Sequence, residues 1–210
     1  MKSNKILLAL CFLSFIGTLA IYSSLPDVVP LHWGINGEVN RWGSKVYMLG
    51  TGLLPLAIYG LMIVLPRIDP KKESFVLHDR AYKITRALLI LFLVGIHWAT
   101  ILVSLGYPLN ITLVVTVGIG LLFMFMGNYL SQVRQNYSFG IRTPWALANE
   151  KVWTKTHRFG GFAFILLGLF SLFTYFVPTP VRFIYFFVLL IACLISTFLY
   201  SYLVYRKLEK

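Results

Sequence analysis

The sequence predicts an all-α fold, a polytopic membrane bundle of about six transmembrane helices with both termini in the cytoplasm, and three observations point to it. Of the 210 residues 58% are hydrophobic and only 12% are charged, against ~25% charged in ordinary soluble domains. Charge-free runs long enough to cross a ~30 Å hydrocarbon core recur along the chain, and only helices or closed barrels satisfy their backbone there. The nineteen Lys and Arg face seven acids, a formal charge of +12, and they gather on one side of those runs, which marks topology and not a direct nucleic-acid partner.

The runs can be taken in order. Ile6 to Ser24 is the first span and Val46 to Pro66 the second. Ala87 to Val133 contains no Lys, Arg, Asp or Glu but is too long for one crossing; the turn-forming Gly106-Tyr107-Pro108-Leu109-Asn110 divides it into spans three and four. Gly160 to Val177 is the fifth, Pro178-Thr179-Pro180 turns the chain, and Phe183 to Val204 is the sixth. Met1 to Ala20 has the basic start and apolar centre of a signal peptide, yet the run continues through Ile21 and Tyr22 without a small-x-small cleavage pattern, so a span is expected. With the N-terminus inside, only Arg41, Lys45 and Arg182 of the nineteen cations fall in outer segments. Two units follow: residues 1–66, a two-helix unit with an outer Pro/Gly/Trp-rich loop (25–45), and residues 67–210, a four-helix unit with an inner motif loop (127–161). Cys11 and Cys193 lie deep in apolar runs and act as small hydrophobes. No cofactor motif is present and none is expected.

No segment between spans is long enough to bury a core of its own, so function must sit in loops or between helices. In the outer loop Pro26 and Pro30 stiffen the backbone while Gly34, Gly37 and Gly43 permit bends, which describes an ordered cap. Its Trp33 and Trp42 suit the headgroup level, as in an interfacial lid, and with Asp27, His32, Glu38 and Arg41 as polar contacts, and Lys45 at the loop's end, they form a candidate surface for an extracellular molecule; Asp27, His32 and Glu38 make only a weak metal set, their spacing matching no familiar ligand pattern. The first inner loop, with Asp69-Pro70-Lys71-Lys72-Glu73 and His78-Asp79-Arg80, reads as a solvated connector with an exposed His78. Within span three, His97 is the one ionisable side chain deep in a predicted bilayer segment; beside Trp98 it reads as a polar patch in helix packing, with a structural hydrogen bond favoured over a proton relay.

The second inner loop carries the densest motif. It runs Gly127-Asn128-Tyr129, Asn136, Gly140-Ile141-Arg142-Thr143-Pro144-Trp145, Glu150, Trp153, and Thr156-His157-Arg158. Thr143 before Pro144 is a helix start, and an interfacial amphipathic helix around 144–159 is expected, with Trp145, Val152 and Phe159 on one face and Lys151, Lys155 and Arg158 toward lipid phosphates. A glycine turn, an arginine and a capped helix in succession also make a compact anion or peptide site.

These residues resemble the SdpI family of bacterial membrane immunity proteins: Gly140-Ile141-Arg142-Thr143-Pro144-Trp145 with Glu150, Trp153 and His157 looks like its signature, and Leu25-Pro26, Val29-Pro30, His32-Trp33, Gly37, Trp42 and Lys45 resemble the membrane domain of unknown function found before it. Ala146 stands where the family's namesake has threonine. The resemblance implies a multi-pass protein of the bacterial plasma membrane that is not an enzyme. It implies protection against a secreted membrane-active toxin peptide met on the outer side, and a cytosolic transcriptional repressor held on the inner side. Two other readings compete on residue chemistry: a membrane enzyme with Glu150 or His157 as acid or base and Arg142 as anion clamp, which lacks a nucleophile, and a transporter, which lacks paired intramembrane charges and an inverted repeat.

Overall fold

The computed structural model describes residues 2–34 and 36–209. Helix α1 (Lys2–Ile21) ends in a 3₁₀ turn and leads to strands β1 (Val28–Trp33) and β2 (Val39–Ser44). There follow α2 (Val46–Ile68), α3 (Ser74–Leu77), α4 (Asp79–Ser104), α5 (Ile111–Leu130), α6 (Pro144–Ala148), α7 (Glu150–Phe173) and α8 (Thr179–Leu208). Six of these helices, α1, α2, α4, α5, α7 and α8, are long and apolar enough to cross a membrane. The divided central run is split where the turn cluster stands: Gly106 takes φ +89°, and the Asn110 side chain accepts from the Leu113 N–H at 3.0 Å to start α5.

Three sequence expectations change. The outer loop is an antiparallel hairpin, with Val28 opposite Ser44 and Pro30 opposite Trp42; the alternation that signals a strand is short and broken by proline, which hid it. Val29 from this hairpin is fully buried against Leu25, Met48 and Ile101, so the cap is fastened to the bundle. The single amphipathic helix over 144–159 is also corrected. Asn149 takes an extended conformation (φ −143°, ψ 124°), and its side chain accepts from the Lys151 and Val152 N–H groups, ending the short α6 and starting α7. The fifth span therefore begins at Glu150 and runs unbroken through Gly160, its cations on the exposed face and Val152, Trp153, Thr156 and His157 buried. Finally, the first inner loop is not a solvated connector. His78 is 2% exposed and Asp69 3%, because this loop packs beneath the second inner loop, His78 lying against Phe75 and Phe139.

Two helices meet at backbone distance. A Cβ placed on Gly127 would lie 2.5 Å from the Gly161 carbonyl oxygen, and one on Gly168 would lie 2.5 Å from that of Gly120. These four glycines form a seam along α5 and α7, the close approach that small residues allow where lipid supplies no hydrophobic drive. Helix α4 shares a core with α1 and α2 through Cys11, Tyr59 and Ile90.

Candidate functional site

At the end of the bundle that carries the motif, the α2–α4 and α5–α6 connections fold into one hydrogen-bonded knot. Asn136, fully buried, donates to the carbonyls of Arg134 (2.8 Å) and Phe139 (2.9 Å), and its Oδ1 accepts from the N–H groups of Ser138 (3.0 Å) and Phe139 (2.6 Å). All the hydrogen-bonding capacity of its amide is thus spent on holding one turn. The Gln135 amide donates to the carbonyls of Ala146 (2.8 Å) and Leu147 (2.9 Å), tying the turn to α6, and its Oε1 accepts from Lys71. Asp69 reaches across from the first loop: its carboxylate accepts from the Lys71 N–H (2.8 Å), the Tyr137 N–H (3.0 Å) and the Ser138 hydroxyl (2.5 Å). A buried carboxylate surrounded by donors is a strong local clasp.

His157 closes the knot. Its Nε2 accepts from the Ile141 N–H at 3.0 Å, so its Nδ1 carries the proton and donates to the Trp153 carbonyl at 3.0 Å; both nitrogens of a neutral ring are committed to backbone. The ring is stacked on Trp153, centroids 4.1 Å apart, and the Trp153 indole donates to the Val133 carbonyl at 2.8 Å. Gly140 passes beside this ring at φ +106°, and a Cβ there would strike His157 Nε2. That position needs glycine on two counts. Thr143 caps α6 by accepting from the Ala146 N–H (3.1 Å) and meets Ser201 of α8 at 2.5 Å, while Pro144 sits at the first turn and Trp145 lies against Phe198 and Tyr202.

The remaining inner candidates do not join this knot's interior. Arg142 is exposed and donates to the Tyr137 carbonyl at 2.7 Å; Asn128, Glu150 and Arg158 are exposed. Glu150 and His157 stand two helical turns apart, ~10 Å along the axis, and do not form an acid–base pair. Burial pushes the His78 imidazole below its ordinary pKa, Arg134 adding to that while the Ser74 backbone and the charges of Asp69 and Asp79 oppose it.

At the other end, the hairpin roofs an apolar crevice of about 310 Å³ between α5 and α8. Leu31, His32, Trp33 and Gly34 form one wall; Ile111, Val115 and Ile119 of α5 and Phe183, Phe186 and Phe187 of α8 form the others. Arg182 lines it too, 8% exposed, donating to the carbonyls of Thr174 (2.8 Å) and Val177 (3.0 Å). His32 is paired with Asn40 at 2.7 Å, and Gly37 makes the hairpin turn at φ +78°. Lys45 fixes the base of the hairpin through Asp27 (3.0 Å), the Leu25 carbonyl (3.2 Å) and the face of Tyr22. Pro26 is exposed, Pro30 is buried, and Trp42 stands outside the crevice, 58% exposed. Among the described residues no three His, Cys, Asp or Glu come together, so Asp27, His32 and Glu38 do not assemble a metal set.

Apart from the crevice, His97 of α4 links three helices. Thr18 of α1 gives its own proton to the Ser14 carbonyl (2.9 Å) and so accepts from His97 Nε2 (2.8 Å); His97 Nδ1 then accepts from Thr51 of α2 (3.0 Å). Trp98 beside it donates to the Ser14 hydroxyl at 2.8 Å.

The model of the SdpI/YfhL protein family matches residues 132–201, and that of the Domain of unknown function (DUF1648) matches residues 9–58. Over its whole length the chain is 29% identical to "Immunity protein SdpI" of Bacillus subtilis (strain 168), covering 100% of this chain and 99% of that protein. The chain is thus similar to membrane proteins of the SdpI family. It is a multi-pass bacterial cell-membrane protein. No solved structure matches it. The SdpI match begins just before the Gln135–Asn136 turn and ends at Ser201, the α8 partner of Thr143, so it covers the knot except for Asp69 and Lys71; the other match covers most of α1, the hairpin and the first half of α2. Sequence reasoning missed Asp69, His78, Gln135 and Arg182 as parts of these sites. For Asp69 a signal existed, an acid directly after a span in a chain with seven acids; for Gln135 nothing in the string distinguishes a clasp from a solvated amide.

Proposed function

We propose that this protein is an immunity protein of the bacterial cell membrane that protects against a secreted, membrane-active peptide. One observation carries the reading: the full-length likeness to Immunity protein SdpI. The roofed crevice supports a place for the peptide, since its aromatic and aliphatic walls suit the apolar face of an amphipathic segment and Arg182 supplies a cation for a carboxylate. The excess of Lys and Arg on the knot side favours a cytoplasmic knot and cytoplasmic termini, with the hairpin outside. In this reading residues 1–66 contribute the outer sensing surface with His32, Trp33 and Trp42, and residues 67–210 carry the knot, whose exposed Arg142, Glu150 and Arg158 offer a docking surface for a cytosolic repressor. The test is expression in a peptide-sensitive bacterium challenged with several membrane-active peptides. Survival should rise at least tenfold, and Trp33→Ala with Phe186→Ala should remove most of the gain at equal membrane abundance; no gain with any peptide overturns the reading.

A further inference from the structure

A second groove lies at the knot end, on the flank of α7 and α8. Phe159 and Tyr200 form its floor, stacked with centroids 4.3 Å apart and planes 11° from parallel. Leu203 and Val204 extend the floor, and the space between the helices is about 650 Å³. Three cations ring its mouth: Lys155 and Arg158 from the first turns of α7, Lys207 from the last turns of α8. The two helices are antiparallel neighbours in chain order, so the start of one and the finish of the other arrive together. On α8 the positions Tyr200, Leu203, Val204 and Lys207 are spaced to share one face, as are Lys155, Arg158 and Phe159 on α7.

The charges at the mouth are unanswered. Neither salt bridge found among the described residues, Lys45–Asp27 or Lys83–Asp79, engages them, and all three side chains are exposed. Three cations at the rim above an apolar floor, on helices long enough to span a bilayer, match a molecule with an anionic head and a hydrocarbon tail. An acidic peptide would meet the cations but leave the floor, with Leu203 62% exposed, unexplained. We propose that this groove is a binding site for one anionic phospholipid, its phosphate held by Lys155, Arg158 and Lys207 and an acyl chain lying along Phe159, Tyr200 and Leu203. The site needs neither the crevice nor the hairpin; it shares Arg158 with the proposed docking surface, and its test reads lipid-dependent stability, which a failure of the immunity reading would leave unchanged.

The test is thermal unfolding of the full chain in neutral detergent with added phosphatidylglycerol, phosphatidylcholine or glycerol 3-phosphate. Phosphatidylglycerol should raise the midpoint by several degrees at a mole fraction where phosphatidylcholine does nothing, and glycerol 3-phosphate should be without effect because it lacks the chain. Lys155→Gln/Arg158→Gln/Lys207→Gln should weaken the phosphatidylglycerol effect at least tenfold in concentration, whereas Arg80→Gln/Lys83→Gln should leave it intact. Should the triple variant fail to fold, Lys207→Gln alone, near the end of α8, should still weaken it about threefold. Equal stabilisation of native and variant chains, equal loss in the control pair, or an equal response to glycerol 3-phosphate would each overturn the site.

Discussion

His97 and His157 are both buried histidines with both ring nitrogens engaged, and they are held in opposite ways. His97 is held by side chains, the hydroxyls of Thr18 and Thr51 from two other helices. His157 is held by backbone, the Ile141 N–H of a loop and the Trp153 carbonyl of its own helix. The difference lies in what happens when the ring is removed. Thr18 already donates to the Ser14 carbonyl, and Thr51 has the Met48 carbonyl at 3.3 Å, so each hydroxyl keeps a partner in its own helix. The Ile141 N–H lies in irregular backbone and has no such fallback. A side-chain hub tolerates loss where a backbone clasp does not.

The comparison can be broken at several points. The largest effect is expected from Gly140→Ala, which combines a left-handed φ with a collision against His157 and should cost about 3 kcal/mol; detergent unfolding would measure it. Next is His157→Leu, which leaves the part-buried Ile141 N–H without its partner and should cost about 2 kcal/mol, with faster hydrogen exchange of the loop around Ile141. His97→Leu should cost only about 1 kcal/mol because the threonine hydroxyls retreat to their own carbonyls. An equal loss for the two histidines would erase the proposed distinction. The smallest effect belongs to His78. Because burial holds its folded pKa below the unfolded value, the unfolded chain takes up its proton first as pH falls below about 6.5, the unperturbed value. Its contribution is therefore present above that pH and is lost on acidification. Midpoints compared between neutral and mildly acid pH should show a shallower fall in His78→Gln than in the native chain.

The spans were legible because apolar length is a one-dimensional property: the six helices follow from runs of uncharged residues and the Gly106–Asn110 interruption. The motif residues Asn136, Gly140, Thr143, Trp153 and His157 were legible as a string, and the fold brings them together. What stayed hidden depended on contacts between distant segments. Asp69 and Tyr137 lie on different loops, and a polar loop that packs under another carries the same composition as one in water. The break at Asn149 was readable in principle, since asparagine followed at once by Glu150 is a helix start, but continuous helical periodicity on both sides masked it. Arg182 counted only as an outer charge, and nothing in its neighbourhood told of the carbonyls that hold it.

The contact of bare backbones at Gly127–Gly161 and Gly120–Gly168 bears on how the two ends are joined. With no layer of side chains between them to deform, α5 and α7 cannot shear past one another without a carbonyl climbing over a neighbouring Cα. The seam therefore holds α5, which lines the crevice, at backbone distance from α7, which carries His157.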